Sequence, residues 1–144
     1  MDTIRLLRRV EMFAGLSSKQ LEELAKVFVQ RTFTRDEKLF SQGDEADGLY
    51  LIGDGFVEVV ITNEHFPDGH IVINLGPGQV VGEMALIDQG ARSATVQVAT
   101  EAAEVAYMDQ AAFEALCETN TDIGYHVMRN MAADISFRLR RANA

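Results

Sequence analysis

The spacing of hydrophobic and polar positions divides the chain into three zones. In residues 1–30, apolar side chains such as Leu6, Val10 and Phe13 recur at helical spacing. A second helical pattern follows in "LSSKQLEELAKVF", where a capping box begins at Ser17. The first zone is therefore predicted to form amino-terminal helices.

Residues 31–108 show short apolar stretches instead of helical periodicity. Glycine-containing turns separate these stretches, as expected for many short antiparallel strands packed as a sandwich or barrel. The stretches are "LYLI", "FVEVVI", "HIVINL", "ATVQVA" and "EVAYM", and the turns are "QGDEADG", "GDG", "FPDG" and "GPG".

Residues 109–144 return to helical spacing and predict two helices. Asp109 is placed to cap the first helix, and the second begins at about Thr121. Its apolar stripe is either part of the core or a surface for a partner or a second copy. The stripe consists of Ile123, Val127, Met131, Ile135 and Leu139, widened by Met128 and Ala132.

The three zones together predict one domain over residues 1–144. We expect a mainly β fold, an antiparallel β-barrel of the double-stranded β-helix or jelly-roll type, with amino-terminal helices and two carboxy-terminal helices. The 144 residues are enough to bury about two-thirds of the surface that the unfolded chain exposes.

Composition narrows the classes of function. No apolar run approaches the roughly 20 residues that span a bilayer, so no membrane association is expected. A net charge of −9 disfavours binding to nucleic acid, because the phosphate backbone is repelled. The single cysteine, Cys117, and the lack of a secretory signal pattern predict a cytoplasmic protein.

Candidate chemistry is concentrated in "GEMALIDQGARSATV", residues 82–96. A short helix is predicted after Gly82, with free backbone N–H groups at its amino end. Arg92 is predicted near that end and could pair with an anion, while Glu83 could accept a hydroxyl hydrogen bond. A ribose bearing a phosphate has both groups. The alternative is that Glu83 and Arg92 form an ordinary surface ion pair.

This segment resembles the phosphate-binding cassette of the cyclic nucleotide-binding domain family. The shared positions are Gly82, Glu83, Met84, Ala85 and Leu86, followed by Arg92, Ser93, Ala94 and Thr95. The resemblance extends over nearly the whole chain, including "VEMFAGLSSKQLEELA", "FSQGDEADGLYLIGDGFVEVV" and "LGPGQVVGEMAL".

The resemblance implies that Arg92 pairs with the cyclic phosphate, assisted by Ser93 and by backbone N–H groups around Ala85 and Ala94. Glu83 would accept the ribose 2′-hydroxyl. The cassette is taken as residues 82–95.

The same resemblance implies that Gly82 and Met84 line the ribose side and that the base rests on apolar residues, for which Val59 and Val72 are the candidates. Ser93, where threonine accompanies cyclic GMP preference, favours cyclic AMP over cyclic GMP. Two departures, Val81 for phenylalanine and Ala91 for proline, leave the ligand contacts in place.

Neither a metal site nor a catalytic site is predicted. His65 and His70 flank the turn "FPDG" without a compact metal-ligand spacing. No nucleophile elbow or phosphate loop of the Walker type is present in the sequence, so no catalytic residue is assigned.

The expected function is a cyclic nucleotide sensor that changes the position of its carboxy-terminal helices and signals to a partner protein or a second copy. The start at Met1 with a normal helical entry favours a stand-alone protein. A ligand-free interaction module of the same fold, or a regulatory part of a larger transcription factor or channel, is the alternative.

Overall fold

The computed structural model describes residues 1–143. Helix α1 spans Thr3–Leu7, a 3₁₀ turn spans Glu11–Phe13, and α2 spans Ser18–Ala25. The strands are β1 Val29–Thr34, β2 Lys38–Phe40, β3 Gly48–Asp54, β4 Val57–Ile61, β5 His70–Leu75, β6 Val80–Val81, β7 Thr95–Val98 and β8 Ala102–Asp109. A 3₁₀ helix covers Glu83–Leu86, and α3 Gln110–Thr119 and α4 Thr121–Ala142 end the described chain.

The strands form two four-stranded antiparallel sheets, ordered β1-β8-β3-β6 and β2-β7-β4-β5. Residues of both sheets share one hydrophobic cluster, so the two sheets face each other as a jelly roll rather than closing into a single hydrogen-bonded barrel. This confirms the predicted mainly β fold with flanking helices.

The central strand β3 explains how the helices attach. Leu49 and Leu51 belong to the cluster shared with the helices, whereas Tyr50 and Ile52 belong to the cluster between the sheets. Successive side chains of a strand point to opposite faces, so both faces of β3 are buried. The uninterrupted apolar run "LYLI" is the sequence signature of this position.

The capping residues predicted from the sequence are confirmed. The Ser17 side chain accepts from the Gln20 N–H at 3.2 Å, and the Gln20 side chain accepts from the Ser17 N–H at 2.8 Å. Asp109 accepts from the Ala111 N–H at 2.7 Å at the start of α3. Side-chain caps of this kind satisfy backbone N–H groups that the first helical turn leaves unpaired.

The first helical pattern is interrupted in the structure. Helix α1 ends at Leu7, and Val10 adopts an extended backbone before the 3₁₀ turn begins. The break lets Leu7, Val10 and Phe13 all pack in the helical cluster. Burial of these side chains therefore outweighs a continuous helix.

Helix α4 divides its apolar stripe between two environments. Ile123, Val127 and Met131 are buried against the core. Towards the carboxyl end, Leu139 is 61% exposed and its neighbour Phe137 is 58% exposed. The first half of the stripe is core, and the second half reaches the surface beside the cassette.

No helix within residues 1–143 has the length and apolar character needed to cross a membrane.

Candidate functional site

Residues 82–95 form a loop that leaves one sheet and enters the other. Strand β6 leads into Gly82, the 3₁₀ helix Glu83–Leu86 follows, and the chain joins β7 at Thr95. The predicted short helix is thus a single 3₁₀ turn. The Ala85 N–H donates to the Gly82 carbonyl at 3.2 Å, so this group is used within the turn.

Gly82 is required by the geometry of this turn. Its φ of 77° lies in the left-handed region that side-chain-bearing residues avoid. A Cβ atom at this position would also clash with the Arg92 guanidinium. The glycine therefore allows the backbone to approach the arginine closely.

The Arg92 side chain is buried and held by backbone carbonyls. Its Nη2 donates to the Gly48 carbonyl at 2.7 Å, and its Nη1 donates to the Gly82 carbonyl at 3.3 Å. The guanidinium also lies over the Phe40 ring, 4.0 Å from the ring centroid. Among described residues, the buried Nε of Arg92 has no hydrogen-bond partner.

The turn between β2 and β3 holds the backbone of Arg92. The Arg92 N–H donates to the Asp44 carbonyl at 2.7 Å, and the Arg92 carbonyl accepts from the Gly43 N–H at 2.8 Å. Arg92 therefore joins the two sheets at this point, with its backbone bound to the β2–β3 turn and its side chain bound to the start of β3.

Asp47, which no sequence motif marks as a site residue, completes the surroundings of Arg92. Its Oδ1 accepts from Arg92 Nη2 at 3.2 Å. Burial is the main cause that raises the pKa of the neighbouring Tyr107 hydroxyl, and the Asp47 charge raises this pKa further. Tyr107 therefore stays a neutral phenol. Asp47 is separated from Arg92 by 45 positions, and no local spacing connects the two.

Glu83 does not pair with Arg92. Its Oε1 lies 3.7 Å from Nη2 of Arg138 on α4, and the Glu83 side chain is 27% exposed. Arg138 also binds Asp134 one turn earlier, at 2.6 Å. In the part of the chain that the structure describes, each member of the predicted pair thus has a different ionic partner. The alternative of a simple Glu83–Arg92 surface ion pair is therefore not what is observed.

A cavity of about 560 Å³, which we call the cassette cavity, lies between the loop and the β2-β7-β4-β5 sheet. The seven residues of the cassette that were predicted to contact the ligand all line it: Gly82, Glu83, Met84, Ala85, Arg92, Ser93 and Ala94. Val59 also lines this cavity, together with Phe40, Ile73 and Leu75. The arrangement places a buried cation, a carboxylate and an apolar wall around one space of ligand size.

Val72 does not line the cassette cavity, whereas its neighbour Ile73 does. Between Val59 and Val60 the register of the β4–β5 pair shifts, so that Val59 lies opposite Ile73 and Val60 opposite Ile71. Val72 falls at this irregularity, and its side chain is 51% exposed. A bulge changes which residues face the cavity and is invisible in the alternation of the sequence.

A known protein family shares most of this sequence. Residues 30–120 match the family model described as the cyclic nucleotide-binding domain. This chain belongs to the cyclic nucleotide-binding domain family. The matched range includes the whole cassette and every strand except the first residue of β1.

Two curated relatives show the range of proteins that contain this domain. The type II regulatory subunit of cAMP-dependent protein kinase from Drosophila melanogaster is 34% identical over 82% of this chain and 31% of its own length. The cyclic AMP receptor protein from Thermus thermophilus is 31% identical over 92% of this chain and 58% of its own length. This chain therefore spans less than two-thirds of either relative.

A solved structure confirms the fold over nearly the entire chain. The amino-terminal domain of a transcriptional regulator from Streptomyces coelicolor aligns with 99% of this chain and 94% of its own, at a TM-score of 0.84 and 29% identity. The cyclic nucleotide-binding domain is a binding and regulatory unit.

Within residues 1–143, no group of His, Cys, Asp or Glu side chains is arranged to hold a metal ion.

Proposed function

We propose that this protein binds a cyclic nucleotide in the cassette cavity and prefers cyclic AMP to cyclic GMP. The observation that carries the proposal is the buried Arg92, which lines the cavity and keeps one unpaired N–H donor at Nε. Leaving a buried donor without a partner costs about 1–3 kcal/mol. A phosphate oxygen is an acceptor that satisfies it.

The phosphate is bound in a region of low dielectric constant. Arg92 is only 6% exposed, and an ion pair with a phosphate is screened much less there than at the surface. The planar guanidinium suits the geometry of phosphate oxygens. Ser93, which lines the same cavity, supplies a hydroxyl donor next to Arg92 in the chain.

The ribose is placed by Glu83. A carboxylate accepts the 2′-hydroxyl proton but repels the phosphate, so the sugar and not the phosphate occupies its side of the cavity. Gly82 and Met84 line the cavity next to Glu83. This arrangement distinguishes a ribonucleotide from its 2′-deoxy counterpart.

The base rests on the apolar wall made by Val59, Ile73 and Leu75. The preference for cyclic AMP rests on Ser93 in the position where threonine accompanies a preference for cyclic GMP. It is consistent with the two relatives described above, one a cAMP-dependent protein kinase regulatory subunit and the other a cyclic AMP receptor protein.

The output is a change in the position of α4. Its first half is fixed in the core, whereas Phe137 and Leu139 are exposed and are available to a protein partner or to a second copy. A ligand that contacts the cassette and favours one position of α4 shifts the population towards that position. The protein acts as a cytoplasmic regulator without catalysis of its own.

The alternative is a ligand-free interaction module or a regulatory part of a larger transcription factor or channel. Equilibrium titration of the purified chain with cyclic AMP, cyclic GMP and 5′-AMP separates the possibilities. We expect saturable 1:1 binding of cyclic AMP, weaker binding of cyclic GMP and the weakest binding of 5′-AMP. No binding of either cyclic nucleotide would contradict the proposal and favour the interaction module.

A further inference from the structure

Strand β5 is a free edge of the β2-β7-β4-β5 sheet. It is the outermost strand of that sheet and pairs only with β4. Within residues 1–143, no backbone hydrogen bond outside the β4 ladder involves residues 70–75. A strand that is paired on one side leaves a row of N–H and C=O groups unpaired on the other side. The backbone of β5 can therefore accept one more strand.

The other three edges of the two described sheets are protected in ways that β5 is not. Strands β2 and β6 have only three and two residues, and β1 carries Arg31 near its centre. Short strands and charged side chains both discourage an edge from pairing with another chain. Strand β5 has six residues in the uncharged sequence "HIVINL". It is therefore the edge at which a further strand can pair.

The side chains of β5 form an exposed apolar surface. Ile71, Val72 and Ile73 are 55%, 51% and 50% exposed, and Phe66 in the preceding loop is 47% exposed. The Phe66 ring lies against His70, with 4.2 Å between the ring centroids, so the surface continues beyond the strand. Contiguous apolar side chains at a protein surface indicate an interaction site.

The charge around β5 determines which kind of partner fits. Residues 39–91 contain no lysine or arginine but nine carboxylates: Asp44, Glu45, Asp47, Asp54, Glu58, Glu64, Asp68, Glu83 and Asp88. Glu64 and Asp68 are exposed in the loop that leads into β5. This part of the surface attracts a segment with basic side chains. It repels a second copy of the chain, whose net charge is −9.

The two faces of the sheet differ at this edge. Ile73 lies opposite Val59, and both residues line the cassette cavity. Glu58, the preceding residue of β4, points to the other face, where it lies opposite Asn74. One face is thus apolar and the other carries a carboxylate. Because the side chains of a strand alternate between faces, a strand with alternating apolar and basic residues matches both.

We propose that β5 binds a short extended segment of a partner protein, with alternating basic and apolar residues, as an additional antiparallel strand. In this mode of recognition, main-chain hydrogen bonds give affinity and alternate side chains give specificity. The segment is short because the irregularity at Val72 interrupts the ladder. The inference goes beyond the proposed function and does not depend on it, since no nucleotide takes part.

The test uses the synthetic peptide KVKVKVK, with both ends blocked, as a probe of the β5 edge. Titration of the purified chain measures its affinity, and amide hydrogen exchange locates the bound peptide. We expect saturable binding and slower exchange of β5 amides, with no change in β1. The charge-reversed peptide EVEVEVE should bind at least about tenfold more weakly, because its carboxylates face those of the protein.

A version of KVKVKVK with its internal backbone amides N-methylated separates strand addition from charge attraction. It keeps the charges but has no internal N–H donors. It should bind at least about tenfold more weakly than the unmodified peptide, because several main-chain hydrogen bonds are lost. This comparison uses the wild-type chain alone, so it does not depend on the folding of a variant.

Ile71→Lys places a cation on the β5 edge, and Val29→Lys is its matched control. Val29 is 56% exposed on β1, so each substitution adds one charge at an exposed apolar position of an edge strand. Neither residue lines the cassette cavity. Ile71→Lys should bind KVKVKVK at least about fivefold more weakly, because the new cation repels the peptide at the edge. Val29→Lys should bind it as wild type does.

The inference is overturned if KVKVKVK does not bind, or if the N-methylated peptide binds equally well. Equal weakening by Ile71→Lys and Val29→Lys would also overturn it, since attraction to the whole chain would then explain the binding. Slower exchange of β5 amides in the free chain as its concentration rises, removed by Ile71→Lys, would show that a second copy occupies the edge instead.

Discussion

Arg92 and Asp47 form an ion pair between a buried side chain and an exposed one. The Arg92 side chain is 4% exposed and that of Asp47 is 66% exposed, with 3.2 Å between Nη2 and Oδ1. Asp47 thus neutralises a buried cation from the solvent side. A ligand phosphate would bring a second negative charge to the same guanidinium. The Asp47 carboxylate and the phosphate would then both neutralise Arg92.

Asp47→Asn should lower the unfolding temperature of the free protein and increase the rise that cyclic AMP produces. The amide keeps an acceptor for Nη2 but removes the charge, which costs about 1 kcal/mol for a pair with one exposed member. The ligand phosphate then replaces the missing charge. Thermal unfolding with and without nucleotide measures both effects. A smaller nucleotide-induced rise than in wild type would show instead that Asp47 is needed to position Arg92.

Gly82→Ala should weaken cyclic AMP binding more than Gly78→Ala does. Gly78 is the matched control, because its φ of 85° is similar but a Cβ atom there meets no atom within 4 Å. Both variants should lose about 1 kcal/mol of stability from left-handed strain. Only Gly82→Ala should also displace Arg92 and weaken cyclic AMP binding, by about tenfold or more. Equal affinities in the two variants would mean that the close approach of Gly82 to Arg92 has no part in binding.

The role of Glu83 is tested with a changed ligand and with a changed side chain. Wild type should bind the 2′-deoxy analogue of cyclic AMP about tenfold more weakly than cyclic AMP, because a hydrogen bond to a charged group contributes about 1.5–3 kcal/mol. Glu83→Gln should reduce this discrimination. Competition titrations give both ratios. Equal affinity of wild type for the two nucleotides would place the ribose elsewhere.

The apolar wall is tested by two neighbouring residues of β5. Ile73 and Val72 are 50% and 51% exposed, but only Ile73 lines the cassette cavity. Ile73→Ala should weaken cyclic AMP binding by about 5-fold, equivalent to about 1 kcal/mol of lost apolar contact. Val72→Ala should bind as wild type does. The opposite order would restore Val72 as the base contact and indicate that the base lies on the other side of the β5 irregularity.

Much of the fold could be predicted from local patterns. Strands such as β3 and the caps at Ser17 and Asp109 depend on residues close in sequence, where period and capping chemistry are visible. The break after Leu7 was not predicted, because it is decided by packing against distant elements. The same holds for the exposure of the end of α4.

The candidate site was predictable to the extent that it is contiguous. Glu83 and Arg92 lie in one short segment whose motif is specific, and all seven ligand contacts predicted within the cassette line one cavity. Asp47 and Arg138 are far from the cassette in sequence and reach it only through the fold. The choice between Val72 and Ile73 depends on a register shift that no alternating pattern reveals.

The most direct test of cyclic nucleotide binding is thermal unfolding of wild type and Arg92→Ala with cyclic AMP or cyclic GMP. A ligand at about 100 times its dissociation constant adds about 2.7 kcal/mol of stability, which is a rise of several degrees for a domain of this size. Arg92→Ala should bind about 30-fold more weakly or worse, since truncating one member of a buried charge pair costs about 2–5 kcal/mol. Arg92→Lys keeps the positive charge at this position. It serves as the control for a loss of binding that is caused by misfolding.

We predict that the unfolding temperature of wild type rises with cyclic AMP and rises less with cyclic GMP, and that either nucleotide produces a much smaller rise in Arg92→Ala. No rise in wild type with either nucleotide, or the same rise in the folded Arg92→Ala variant, would contradict the assignment of the cassette cavity as a cyclic nucleotide site.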